Sequence, residues 1–159
     1  MKKRTYKEFK QGIFKPVNKT KCVNKTYPEY RSGLERSLMI ILDKHENVLE
    51  WGSENYIIPY KHPIKSAKAG KPEYARYFVD FYLKMKIGND VKQFLIEVKP
   101  ERQCSAPKNH GNKKQSTLVY ENMMWVINQA KWEAAEKYCK SKGMKFLIVN
   151  EKNINQLLS

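Results

Sequence analysis

The stretch RYFVDFYLKMKIGNDVKQFLIEVKPE, residues 76–101, sets Asp80 and Glu97 inside apolar, strand-like runs. From 77 to 85 the odd positions are Tyr, Val, Phe, Leu and Met, and Asp80 shares the even face with Phe78 and Tyr82. From 94 to 99, Phe94, Ile96 and Val98 share one face, and Leu95, Glu97 and Lys99 share the other. Such alternation predicts two strands. Gly88-Asn89 between them suits a two-residue hairpin loop. With Ile87 opposite Asp90, paired residue numbers sum to 177, so Asp80 stands across from Glu97. Directly opposed side chains share a face, with β-carbons about 5 Å apart.

Ionised carboxylates avoid apolar surroundings unless a cation meets them there. Two at this separation repel, and one keeps its proton unless positive charge intervenes. Lys99, on the same face, supplies one such charge. A divalent ion would supply the rest, and hard carboxylate ligands suit magnesium or manganese. The residues alone leave a second reading open, a solvated sheet face with a cross-strand Lys–Glu pair. The Glu-x-Lys spacing decides nothing by itself, since Glu8-Phe-Lys10 repeats it where no strand is predicted.

Upstream, Ser32-Gly-Leu-Glu35 has capping-box spacing and predicts a helix starting near Ser32. Leu34, Leu38, Ile41 and Leu42 form its apolar stripe. Glu35 lies about 20° from Leu42 around the helix, at the rim of that stripe. It is placed to cap the helix or to serve as a ligand. Residues 48–60 read as one bent strand or two short ones, and 61–75 as a basic loop rich in Gly and Pro.

Downstream, Pro100 stops the strand and opens a basic loop to residue 116. A long helix follows over about 117–142, with Gly143 as its stop and Asn128 as a candidate cap for a second segment within it. Trp132, Ala135 and Tyr138 are spaced as core, and Trp51 and Trp125 also read first as structural. Residues 145–151 form a further strand, and the closing INQLLS adds a short helix. The expected fold is α/β: a mixed central sheet flanked by helices, in the order α-β-β-β-α-β.

With 159 residues the chain has the length of one domain, and Lys and Arg number 31 against 16 acidic residues, a net charge of +15. That imbalance points to a polyanionic partner, while charge alone also fits a merely soluble basic protein. An anionic membrane surface is a weaker option, because no apolar run is long enough to span a bilayer and the basic N-terminus lacks a signal-peptide core. Cys22, Cys104 and Cys139 form no Cys-x-x-Cys pair, which fits reduced thiols in a cytosolic setting. Residues 1–29 carry nine basic and two acidic side chains and read as an extended arm, docked through Phe14 and Tyr27, ahead of a domain over 30–159. A solubilising tail is the other reading, and the aromatics among the lysines favour a strap across phosphates. Candidate phosphate contacts are Lys2, Lys3, Arg4, Lys7 and Lys10 of the arm and Arg102, Lys108, Lys113 and Lys114 of the loop. Gln129 and Lys131 of the long helix are further candidates, with Lys131 reading first as a solvated helix lysine.

Asp80, a hairpin, then Glu97-Val-Lys99 resembles the core of the PD-(D/E)xK nuclease superfamily, with Val79 where the motif's name has proline. The wider set "YRS..E", "W.SE...IPY", "RYFVDF", "EVKP" and "NQAKWEAAEKYCKSKGMKFLIVNE" resembles the head-completion nucleases of T-even-like bacteriophages, which in turn look like the endonuclease subunit of cut-and-paste transposons. The resemblance spans roughly residues 12–151 and implies a restriction-endonuclease-like core. It implies that Asp80, Glu97 and the carbonyl of Val98 bind Mg2+ or Mn2+, that Glu35 completes the shell or holds a second ion, and that Lys99 orients the attacking water. It also implies a magnesium-dependent DNA endonuclease acting on ends or branches in phage head completion, in the host cytoplasm or on the virion, with phage head or portal proteins as partners. Two other readings stay open: a transposon-type endonuclease subunit, and a non-catalytic protein on the same fold that binds DNA ends or the capsid connector.

Overall fold

The computed structural model describes residues 11–159; the arm cations Lys2, Lys3, Arg4, Lys7 and Lys10 lie outside them. In chain order the elements are β1 (Gly12–Ile13), β2 (Glu29–Tyr30), α1 (Gly33–Lys44), β3 (Val48–Ser53), β4 (Ile57–Lys61), α2 (Pro63–Ala69), β5 (Tyr74–Phe78), β6 (Phe81–Ile87), β7 (Asp90–Val98), α3 (Gln115–Ser141) and β8 (Lys145–Val149). Short 3-10 turns follow at Glu101–Gln103 and Ile154–Gln156.

The central sheet runs β3-β6-β7-β8, antiparallel except for the parallel β7–β8 pair. With α1 before β3 and α3 before β8, this sheet has the expected order α-β-β-β-α-β. The remaining strands pair outside it, as β1–β2 and β4–β5. The β6–β7 register is the one read from the hairpin, from Ile87↔Asp90 back to Phe81↔Ile96. Gly88 takes a φ of 60°, which a two-residue turn matching the strand twist requires at its first central position.

Strand alternation sorts the core onto two faces. Phe81, Leu83, Met85, Phe94, Ile96 and Val98 pack on one side with Leu38, Met39 and Leu42 of α1. Tyr82 and Leu95 pack on the other with Trp132, Ala135 and Cys139 of α3. Each helix therefore buries its stripe against one face of the same sheet, and truncating a fully buried Leu38 or Leu83 should cost about 2–5 kcal/mol. α1 begins as the capping box predicts: Ser32 accepts a hydrogen bond from the Glu35 amide at 3.1 Å.

The described part of the arm is stitched to the domain. Phe14 meets Trp51 edge-on at 5.7 Å. Lys21 and Val23 exchange backbone hydrogen bonds with Trp51 at 2.9 Å each. The carboxylate of Asp43 accepts the amides of Val17 and Asn18 at 2.8 and 3.2 Å. Tyr27, expected to dock, is instead 46% exposed.

Three expectations need correction. Residues 77–85 are not one strand: the chain breaks at Val79–Asp80, with β5 pairing to β4 and β6 to the central sheet. Residues 61–75 are not a loop: they contain α2, capped by the His62 ring on the Lys65 amide, opened by Pro63 and ended by Gly70 at φ 64°. Pro at the first helical position and Gly past the last are ordinary boundary signals, set here among lysines that give the segment the composition of a loop. Asn128 caps nothing, because α3 is continuous and Asn128 is buried within it. Gly143, at φ 68°, does end α3.

Candidate active site

The site forms where β6 starts and β7 ends. The β6–β7 ladder stops at Phe81↔Ile96, one step short of an Asp80–Glu97 pair, so Asp80 lies in the joint between β5 and β6. Its Oδ2 accepts the Val98 amide at 2.8 Å. The carboxylate thus takes the hydrogen bond that a continuing strand would have provided, which aims it at the end of β7. In an extended strand the N–H and C=O of one residue face the same neighbour. The Lys99 amide turns to Val149 of β8 at 3.0 Å, so the Val98 carbonyl, like its N–H, faces Asp80.

Glu97 is 4% exposed. Its Oε1 lies 3.3 Å from Lys99 Nζ, and its Oε2 accepts a hydrogen bond from the Tyr77 hydroxyl. Tyr77 reaches it because of the break at Val79–Asp80. In one continuous strand Tyr77 would share the α1 face with Phe81, but the joint sets Tyr77 and Val79 on the α3 face, beside Glu97. Burial, then the Glu97 charge and its hydrogen bond, push the Tyr77 phenol far up, so it stays a donor.

Asp80 is half-buried. Burial raises its carboxyl well above the usual range, and the Glu97 charge raises it further. The Val98 amide and Lys99 act in the opposite sense without cancelling the rise. The protein has brought two acids together and leaves their repulsion incompletely compensated. That donor set suits a hard divalent cation: among the described residues Asp80 Oδ1 makes no hydrogen bond and Glu97 Oε1 is paired only with Lys99, and the Val98 carbonyl faces Asp80.

Glu35 stands apart from this pair. Its charge adds to the rise at Asp80, but its Oε2 accepts the Arg31 amide at 2.9 Å. Among the described residues no three His, Cys, Asp or Glu side chains converge on one metal-sized site. The structure therefore brings Asp80, Glu97 and Lys99 together and leaves Glu35 at the helix cap.

The remaining candidates separate by position. Lys131 Nζ lies over the Tyr77 ring at 5.6 Å and the Tyr60 ring at 5.9 Å, one residue removed from Glu97. Arg102 is exposed in the turn just after β7, which Glu101 pins to Glu151 by a 2.9 Å hydrogen bond. Lys108 and Lys114 are exposed further along, as is Gln129 on α3. Lys113 is engaged with Glu121 at 2.8 Å.

Comparison with known proteins bears on this geometry. The family model described as TnsA-like endonuclease N terminal matches residues 45–151, a span that includes Asp80, Glu97 and Lys99. The chain belongs to the TnsA-like endonuclease N-terminal family. Membership makes it a DNA nuclease of the endonuclease type, and its mixed sheet between helices is the restriction-endonuclease-like fold of that family. The head completion nuclease of Enterobacteria phage T4 is 30% identical over 131 residues, covering 80% of this chain and 81% of that one. The family match starts after α1 and so omits Glu35.

Sequence reasoning missed Tyr77. Placed on the α1 face by the single-strand reading, it looked like ordinary core. The signal was the second aromatic-rich run, 74–78, which pairs with 57–61 rather than continuing into 81–87.

Proposed function

We propose that this chain is a magnesium- or manganese-dependent DNA endonuclease that hydrolyses phosphodiesters at the Asp80–Glu97–Lys99 site. The observation that carries the reading is the convergence of buried Glu97 and half-buried Asp80 on one point, with Lys99 Nζ 3.3 Å from Glu97. A divalent ion held by Asp80, Glu97 and the Val98 carbonyl would supply Lewis-acid charge to the scissile phosphate. Lys99 orients the attacking water and offsets charge developing on the phosphoryl oxygens. Tyr77 fixes the orientation of Glu97, and Lys131 lends positive charge where a phosphate would enter.

The biological role we infer is trimming or resolving DNA ends or branches during phage head completion. It is supported by likeness over four-fifths of the chain to a protein named for that process. Phage head or portal proteins are the partners this role requires, and the host cytoplasm or the virion is its location. The test is cleavage of linear, branched and single-stranded DNA with and without magnesium, with Glu97→Ala as the control. Cleavage that needs magnesium and disappears in the variant supports the reading. DNA binding without cleavage of any substrate would overturn it in favour of a binding protein on the same fold.

A further inference from the structure

The β4–β5 ribbon carries a surface that its sequence did not announce. Its register alternates two sets of cross-strand pairs. Ile58, Tyr60 and Tyr77 face inward and pack with α3. The outward pairs are Ile57↔Phe78, Pro59↔Arg76 and Lys61↔Tyr74, all exposed. Tyr74 is 69% and Phe78 43% exposed, and the Arg76 guanidinium lies 5.6 Å from the Phe78 ring centroid. Over residues 57–78 there are five Lys or Arg and one acid, Glu73. Glu73 is itself near Lys71, at 3.9 Å.

We propose that this outer face is a DNA-binding surface, with Lys61 and Arg76 on phosphates and Tyr74 and Phe78 against bases or sugars. Aromatic rings interleaved with cations are what a nucleic-acid strand recognises: rings stack on bases and cations neutralise the backbone. A two-stranded ribbon also fits the major groove of a duplex. The excess of positive charge favours a polyanion over a protein as the occupant. The ribbon is joined to the catalytic centre twice. Tyr77, on its inner face, bonds Glu97, and Phe78 precedes Asp80 by two residues. DNA held on this face is held relative to the two acids.

The inference rests on the reading that the site cuts DNA, and its test avoids the chemistry. DNA affinity is measured by fluorescence anisotropy in chelator across a range of salt, on duplex and on single-stranded DNA. Lys61→Gln/Arg76→Gln is compared with Lys86→Gln/Lys92→Gln, exposed cations near the far tip of the β6–β7 hairpin, so both variants lose the same charge. Each lost phosphate contact lowers the logarithmic salt slope on duplex by about 0.9, so the ribbon variant should lose about 1.8 and the hairpin variant far less. Tyr74→Ala/Phe78→Ala should weaken single-strand binding by about fivefold or more without changing the salt slope. Circular dichroism checks that each variant is folded. Equal slope changes in the two charge variants, or wild-type binding by both ribbon variants, would overturn the proposal and leave the aromatic face as a protein-contact surface. That failure leaves wild-type cleavage standing, whereas absence of cleavage with the ribbon effects intact strikes only the nuclease reading.

Discussion

Asp43 and the Asp80–Glu97 pair are carboxylates withdrawn from water, and the protein treats them in opposite ways. Asp43, 1% exposed at the end of α1, accepts two backbone amides from the arm, and its own carbonyl accepts the Asn18 side chain at 2.7 Å. Among the described residues no second acid accepts from those two amides. Asp80 and Glu97 instead face each other, and the Val98 amide and Lys99 do not offset burial and repulsion at Asp80. A carboxylate the fold needs is supplied with the fold's own donors. A pair left in mutual repulsion is costly to the empty protein and makes sense if a cation completes it.

The contrast is tested first where the effects are largest. Glu97→Ala should lower turnover on saturating DNA by about 10²–10³-fold or more, the scale for removing a group that acts on transition-state charge. Asp80→Asn should lose comparable turnover and bind manganese more weakly by calorimetry, yet melt higher than the wild type in chelator at neutral pH. The sign follows from the raised carboxyl of Asp80. The folded state holds this proton where the unfolded chain, with an ordinary value of about 3.9, has released it, so stability falls as pH rises through that window. Asn carries no such cost, and its advantage should vanish as pH drops below the window. A variant that melts lower at neutral pH would erase the distinction between the two regions.

Asp43→Ala should do the reverse. It leaves two amides of the arm without their charged acceptor, at about 1.5–3 kcal/mol for each bond lost. Denaturant titration should show a loss of roughly that size or more, while turnover per folded molecule stays near wild type. If turnover collapses with stability intact, Asp43 belongs with the functional acids. Tyr77→Phe sits between the two classes, since it removes one charge-assisted donor from Glu97 without removing an acid. The expected outcome is a loss of manganese affinity of about tenfold, from about 1.4 kcal/mol of misdirected ligand, with a melting temperature changed little. A merely structural Tyr77 would shift melting and leave metal affinity alone.

How much of this was legible beforehand follows the range of the interactions. The β6–β7 register and the convergence of Asp80 on Glu97 came from a two-residue loop and period-two alternation, both local. The same alternation misled at Val79–Asp80, where the chain keeps its period in sequence but changes sheets. Nothing within residues 76–81 says that β5 will pair with β4, because that choice is made by Tyr60 and Tyr77 packing with Trp132, Ala135 and Cys139 of α3, all more than fifty residues later. Asp43 was invisible for the same reason: its donors are 25 and 26 residues away. The Lys61–Tyr74 surface was hidden because α2 was read as loop, which left no hairpin to place its cations and rings on one face.

Glu35 gives the smallest expected effect and sharpens the comparison most finely, since sequence allowed it either class. In the structure its amide is bound by Ser32 and its Oε2 by the Arg31 amide. That arrangement satisfies one of the donors left free at the helix start, the Glu35 amide, and ties down the Arg31 amide just ahead of the cap. Its charge still reaches Asp80 and raises it. Glu35→Gln keeps a side-chain oxygen for the Arg31 amide and removes only the charge. If Glu35 is a cap, stability should change by less than about 0.5 kcal/mol, the loss of one acid from the first turn of a helix. Turnover and manganese affinity should then stay within a few-fold of wild type, because removing a like charge from beside Asp80 costs the site no ligand. If instead the variant loses manganese affinity as Asp80→Asn does, at unchanged stability, Glu35 swings away from the cap when metal enters and joins the functional pair. The two outcomes differ in calorimetry on the DNA-free protein, before any cleavage is measured.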